Sequence, residues 1–501
     1  MTIISAMRFA LAIAVAGAVG SATAQDKSAQ NKEIQAQHQP AGKGVLSLLP
    51  ADATTEHSID TAQGKLAYTA TAGTLAFFNE TGEQSAAVFY TAYVAKDAGA
   101  NRPLTFVFNG GPGAASAFLN LGLVGPRILD LGPDARNFAH AELRDNPDTW
   151  LQFTDLVLID PIGTGWSRTV KPGDGKDFWN VGSDASAMAK AVALYVDKNN
   201  RAASPKYLLG ESYGGFRAAK VARAVQREQG ISVNSIVMLS PLLEGWLTFG
   251  DDGSALRAAL VLPSLAAAEL ERKGAFSAQA LASAEKFAMT DYLTTLAGPT
   301  PQGQAGDAFY QHVAQVSGLP LDLVKQQRGF VTGAFVKNLR ADKIVSLYDA
   351  TFAVDDPFPE QKSGHAPDPI LDAVARAYGG AFANYARHEL GFKTEMTYQL
   401  LASDVIQHWD WGKGGRPGVG VESDLRVLLG FDRSFRVLIA HGYSDMVTPF
   451  AETRYLLDHL PPFGPAGRVS LKLYRGGHMV YLNPQSRKAF SSDAAAFYRE
   501  E

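Results

Sequence analysis

An α/β architecture with a mostly parallel central sheet is what this sequence predicts, and three observations carry it. Short apolar runs recur along the chain, and each stops at a polar or glycine-bearing loop. Leu104–Phe108 stops at Asn109, Leu156–Ile159 at Asp160, Tyr207–Leu209 at Gly210, Ile236–Leu239 at Ser240, and Val437–Ala440 at His441. The runs are continuous rather than alternating, as in strands covered on both faces by helices. Helix-like stretches, 184–199 and 216–229 among them, separate some of these runs, and strand, loop and helix in repetition is the doubly wound pattern. The chain has 501 residues, 46% hydrophobic and 19% charged, which suits a folded core of this size and excludes a disordered or collagen-like chain. In such sheets ligands bind at the loops beyond the carboxyl ends of the strands.

Taken in order, residues 1–24 read as an export signal. A positive start ends at Arg8, an apolar stretch runs from Phe9 to Val19, and Ala22-Thr23-Ala24 gives a small-x-small cleavage site. Residues 25–56 are expected to be a flexible N-terminal segment, since 25–44 is rich in Gln, Lys and Ala without apolar period. Residues 57–243 are expected as the first part of the core. Runs at Lys65–Thr71 and Ala86–Ala95 flank a turn-like Asn79-Glu80-Thr81-Gly82, which predicts antiparallel strands ahead of the parallel ones. From 244 to 401 the strand rhythm gives way to Ala-rich helical stretches, 254–273 and 277–297, read as a helical cap inserted into the core. Residues 402–501 complete the core, with a strand-like run at Val469–Tyr474.

Charge and composition narrow the functions. With 46 Lys and Arg against 50 Asp and Glu the net charge is -4, and no single-sign block suggests a nucleic-acid partner or an acidic membrane surface. After signal removal no apolar stretch is long enough to span a bilayer. There is no cysteine, which excludes disulfides, thiolate catalysis and Cys-based zinc sites. No His or carboxylate spacing suggests a metal site, and no cofactor is expected.

The strongest local signal is Gly210-Glu211-Ser212-Tyr213-Gly214-Gly215, a G-x-S-x-G sequence between a strand and a helix. Small residues there permit a sharp turn that exposes the Ser212 hydroxyl, the nucleophile elbow of an α/β-hydrolase. Serine needs a base to take its proton and an acid to orient that base. In this fold they follow in the order Ser, acid, His. His478, in Gly476-Gly477-His478-Met479, and Asp445, in Gly442-Tyr443-Ser444-Asp445, fit that order; His441 precedes the acid and does not. Oxyanion donors are expected from the Tyr213 N–H and from the loop at Gly110-Gly111. That loop lacks the G-K-[S/T] ending of a phosphate cradle. Trp409 and Trp411 fall where the cap rejoins the core, and could line a cleft or pack the hinge.

Asn109-Gly110-Gly111-Pro112-Gly113, Gly210 to Gly215 and Gly477-His478-Met479-Val480 resemble the signatures of the serine carboxypeptidase family. Asp160-Pro161-Ile162-Gly163-Thr164-Gly165-Trp166-Ser167 and Gly442 to Asp445 are similar to two further family loops. The resemblance implies Ser212, Asp445 and His478 as triad, Gly111 and Tyr213 as oxyanion hole, and Asn109, Gly110 and Glu211 as substrate-binding residues. It also implies that Asn109 and a protonated Glu211 grip a substrate's terminal carboxylate, which favours acidic pH. Two other members of that family clamp, a Trp and an acidic residue, are here Val107 and Leu123. The expected function is an exported, periplasmic or secreted serine carboxypeptidase acting on peptides or proteins. The alternatives are an esterase or acyltransferase with the same triad, and a non-catalytic binding protein on a hydrolase fold.

Overall fold

A strand whose side chains are all apolar must be covered on both faces, and the buried strands of this chain meet that condition. The computed structural model describes residues 43–61, 64–96, 99, 101–132, 138, 141–332, 335–361 and 367–499. The expected export signal and the lead-in up to residue 42 lie outside the described residues. The main sheet holds β1 (Ala53–Thr61), β2 (Gly64–Phe78), β3 (Gln84–Ala95), β4 (Leu104–Phe108) and β5 (Asp155–Ile159). It continues with β6 (Arg168–Thr169), β7 (Lys206–Glu211), β8 (Ser235–Leu239), β9 (Arg436–Gly442) and β10 (Val469–Tyr474). The spatial order is β1-β2-β3-β5-β4-β7-β8-β9-β10, with β6 beside β3. From β5 to β10 along this order every pairing is parallel, while β1, β2, β3 and the β3–β5 contact are antiparallel. This is the α/β-hydrolase fold.

Alternation along each strand sends side chains to opposite faces. Phe106, Leu208, Ile236 and Val437 join one hydrophobic cluster with Met188 and Val192 of α1 (Val181–Lys198) and Val221 of α2 (Tyr213–Glu228). Val107, Leu209, Val237 and Leu438 join a second, on the other face, with Phe490 and Tyr498 near the C-terminus. Each such fully buried side chain contributes about 1.5–3 kcal/mol.

The structure corrects the flexible segment. Within 25–56, residues 44–48 form a short 3-10 turn and β1 starts at Ala53, ahead of residue 57, the expected start of the first part of the core. The strand was obscured because it is an edge: its exposed Thr54, Glu56, Ser58 and Asp60 alternate with more covered positions, so its composition is polar.

Between β8 and β9 the described residues add no strand to the sheet. Helix α3 (Ala255–Arg272) contributes Leu262 and Leu265 to a separate cluster with Tyr292, Val313 and Phe335. Two details depart from a purely helical cap spanning 244–401. Lys343–Val345 pairs with Ala353–Asp355 as a small antiparallel ribbon. Helix α4 (Pro369–His388) lays Ile370, Val374, Tyr378, Phe382 and Tyr385, one helical stripe, into the second core cluster. Among the described residues no helix is long and apolar enough to cross a membrane.

Candidate active site

The tight elbow between β7 and α2 sets up the site. A Cβ on Gly210 would lie 1.9 Å from Gly214 O, and one on Gly214 would lie 2.4 Å from Phe108 O, so neither position accepts a side chain. Ser212 between them has φ 61° and ψ -125°, a conformation costly for any residue but glycine. Neighbouring backbone holds it there: Ser212 N donates to Leu239 O at 2.9 Å, and Gly215 N and Leu242 N donate to Ser212 O at 3.0 and 3.2 Å. The turn carries the Ser212 side chain into a cleft and opens α2 at Tyr213, whose first N–H groups have no intrahelical acceptor.

That cleft has a volume of about 230 Å³ and brings together Asn109, Gly110, Gly111, Glu211, Ser212, Tyr213 and His478. Asp445 lies just behind it, fully buried. Its Oδ2 is 2.9 Å from His478 Nδ1, while Oδ1 accepts the Val447 and Thr448 N–H groups at 2.8 and 3.0 Å. The Thr448 hydroxyl stands 2.9 Å from Oδ2 as well. With Nδ1 engaged, His478 turns Nε2 away from Asp445. Burial alone would lower the His478 pKa, but the Asp445 charge and hydrogen bond, helped by Glu211 and Asp368, outweigh it and raise it. His441 is buried elsewhere on the acid loop, its Nε2 2.8 Å from Thr453 Oγ1. Among the described residues its Nδ1 has no side-chain hydrogen-bond partner, and it lies 3.9 Å from Asp445 Oδ2. Burial pushes its pKa down to about 4, so the ring is neutral.

Glu211 forms the other pole of the cleft. It is 3% exposed, with Asn109 Nδ2 donating to Oε2 at 2.6 Å and the Tyr481 hydroxyl 3.1 Å from both carboxyl oxygens. Burial raises its pKa to about 7, against the lowering effects of His478, Tyr481 and Asn109. The carboxyl is therefore neutral, and a hydrogen-bond donor, at acidic pH. Arg217 braces this region from below: its Nε meets Asp184 at 2.7 Å, and its Nη1 donates to Asn109 O. Val107 and Leu123 are fully buried in the second core cluster, away from the cleft.

Trp411 lines the cleft, whereas Trp409 packs in the first core cluster, edge-on to Tyr213 at 5.2 Å between ring centroids. Phe118, Tyr348, Leu371, Leu401 and Arg416 also line the cleft, and sequence reasoning missed all of them. Tyr348 and Leu371 belong to the inserted segment, and no motif marks them. Among the described residues no group of three or more His, Asp or Glu is arranged to hold a metal ion.

Residues 64–244 match the model of the serine carboxypeptidase family. Serine carboxypeptidase-like 41 of Arabidopsis thaliana is 30% identical over 167 residues, 31% of this chain and 34% of that protein. Pheromone-processing carboxypeptidase kex1 of Penicillium rubens is 29% identical over 167 residues, 30% of this chain and 24% of that one. The chain thus spans about a third or less of the length of these relatives. Among solved structures, Kex1(delta)p, a prohormone-processing carboxypeptidase from Saccharomyces cerevisiae, superposes with a TM-score of 0.54 at 14% identity. That match covers 86% of this chain and 91% of that one, a likeness of fold. Residues 64–244, which include the Gly-rich loop and the Ser212 elbow, are thus similar to the serine carboxypeptidase family.

Proposed function

We propose that this protein is an exported serine carboxypeptidase that releases C-terminal residues from peptides through an acyl-enzyme on Ser212. The observation that carries the reading is one cleft holding two systems. Ser212 and His478, backed by Asp445, are the acyl-transfer machinery, and the buried Asn109–Glu211 pair is a receptor for a free carboxylate. The Ser212 Oγ attacks the scissile carbonyl while His478 Nε2 takes its proton, and Asp445 holds the Nδ1–H tautomer. The oxyanion is received by the N–H groups of Gly111 and Tyr213. Collapse expels the amine, which takes the proton from His478. Water, deprotonated by the same imidazole, then attacks the ester and frees Ser212. Neutral Glu211 donates to the terminal carboxylate beside Asn109, so binding is favoured below a pH of about 7. Export rests on the signal-like residues 1–24.

The test uses paired peptides, one with a free C-terminus and one amidated, from acidic to neutral pH, beside a Ser212→Ala control. Stepwise trimming of the free peptide alone, absent from the control, is expected. Equal attack on both, or internal cleavage, would remove the exopeptidase assignment, and inertness toward both with ester hydrolysis intact would move the reading to an esterase.

A further inference from the structure

Arg416 is a fixed cation on the wall of the cleft, and no carboxylate among the described residues pairs with it. Its guanidinium lies over two rings that line the same cleft, 5.6 Å from the Phe249 centroid and 5.5 Å from that of Trp411. Trp411 in turn stands edge-on to Tyr213, with 5.5 Å between centroids, and Tyr213 follows Ser212 in the chain. The cation is thus two ring contacts away from the serine, within the reach of a residue or two of bound peptide.

The loop that carries it is held in place. Gly245 N donates to Val419 O at 2.7 Å, and Val421 N to Leu243 O at 2.9 Å. A Cβ on Gly245 would lie 1.9 Å from Arg416 O, so the Arg416 backbone is pressed onto the segment that leaves β8. Pro417 fixes the next φ. Both rings lie to one side of the guanidinium, and the N–H groups of a guanidinium match a carboxylate in bidentate geometry. The other ionisable carboxyl in the cleft, Glu211, is held by Asn109 and Tyr481 and does not pair with Arg416.

We propose that Arg416 is a specificity-determining residue that receives a carboxylate of the peptide substrate. That group is either an acidic side chain near the scissile bond or the terminal carboxylate itself. The inference rests on the cleft being a peptide site, as proposed above.

Binding to a Ser212→Ala protein, measured by titration calorimetry, separates this inference from catalysis. Three peptides of one sequence are compared: Glu near the C-terminus with a free terminus, Gln with a free terminus, and Gln with an amidated terminus. The same series is then run on Ser212→Ala/Arg416→Gln. Arg416 is exposed in the free protein, so loss of one charge-assisted pair there is expected to weaken the affected peptide up to about fivefold. A Glu-over-Gln preference that collapses in the double variant assigns the side chain, and a free-over-amide preference that collapses assigns the terminus. Arg416→Lys should restore only part of the preference, since it keeps the charge without the fork. Both preferences surviving Arg416→Gln unchanged, or no binding by any peptide, would overturn the proposal. Failure of the wild-type enzyme to trim peptides that the Ser212→Ala protein binds counts against the proposed function alone.

Discussion

Replacing Glu211 by Gln tests the central electrostatic feature of the cleft without relying on a substrate. The folded protein holds this carboxyl near a pKa of about 7, raised by burial from an ordinary 4.5. A raised carboxyl pKa means that the folded state binds the proton more tightly than the unfolded chain does. The stability associated with the neutral form is complete below pH 4.5 and is lost as pH climbs toward 7. Each pKa unit corresponds to about 1.4 kcal/mol, so above pH 7 the wild type carries a deficit of about 3 kcal/mol relative to acidic pH. Gln has no such titration. An unfolding entropy of about 2.1 cal/mol/K per residue makes about 1 kcal/mol/K for the unit spanning residues 42–501, so the deficit corresponds to about 3 °C in Tm. Thermal unfolding of wild type and Glu211→Gln is therefore followed between pH 4.5 and 8.5. Whatever the constant offset between the two, the variant should gain about 3 °C on the wild type across that range. Parallel curves would refute a buried, neutral-preferring carboxyl at this position. On the proposed mechanism the same variant also flattens the alkaline rise in KM for peptides with a free C-terminus. It further moves the acidic limb of kcat/KM downward, because the Glu211 charge no longer supports protonated His478.

Asp445→Asn should keep the fold, seen in an unchanged circular dichroism spectrum, and lower kcat by about three orders of magnitude or more, because amide for carboxylate spoils the His478 tautomer. Gly110→Ala should abolish activity, since its Cβ would lie 2.6 Å from Glu211 O and 2.7 Å from Tyr213 N; full activity toward peptides would show that the elbow yields. Trp411→Ala should raise KM, whereas Trp409→Ala should lower stability by about 3–5 kcal/mol in denaturant unfolding, the cost of a large core cavity. His441→Asn, which places a donor where Nδ1 now faces Asp445, should retain more kcat than His441→Gln, which keeps the contact to Thr453 instead; equal losses would mean that the ring matters only for packing.

The parts of the fold that were legible in the sequence are those where one physical demand acts on adjacent residues. A strand buried on both faces is dominated by apolar residues, so Leu104–Phe108 carries the same bounds in sequence and structure. The elbow demands small residues beside Ser212, and Gly210 and Gly214 reveal it. β1 was illegible for the opposite reason: an edge strand needs only its ladder to β2, and its side chains are those of a polar loop. The cleft divides in the same way. Asn109, Glu211 and His478 stand in compact local patterns, while Tyr481 reaches Glu211 from 270 positions away and Arg416 gains its meaning from rings on two other segments.

The inserted segment shows most clearly why the remainder could not be read. Residues 346–351 bind the acid and histidine loops almost entirely through backbone, which has no signature in side-chain chemistry. His478 N donates to Tyr348 O at 2.6 Å, Met446 N to Leu347 O at 3.0 Å, and Ala350 N to Ser444 O at 3.0 Å. The Ser444 hydroxyl adds a 2.7 Å bond to Asp349 Oδ1. A Cβ on Gly477 would lie 1.8 Å from Tyr348 O, so the contact requires glycine beside the histidine. On the other side, Asp368 accepts from the Ser346 hydroxyl at 2.8 Å and from Leu347 N at 2.7 Å while capping α4, which is packed into the core. The insertion is thus tied to the core at one end and to the loops bearing Asp445 and His478 at the other. Asp368→Ala removes the cap and the anchor together, along with a charge that supports protonated His478, and its one contact to the cleft lining among the described residues is the 3.1 Å bond from Leu371 N. It should therefore lower kcat more than it raises KM, through His478 placement, and an effect confined to KM would show that the anchor shapes only the cleft wall.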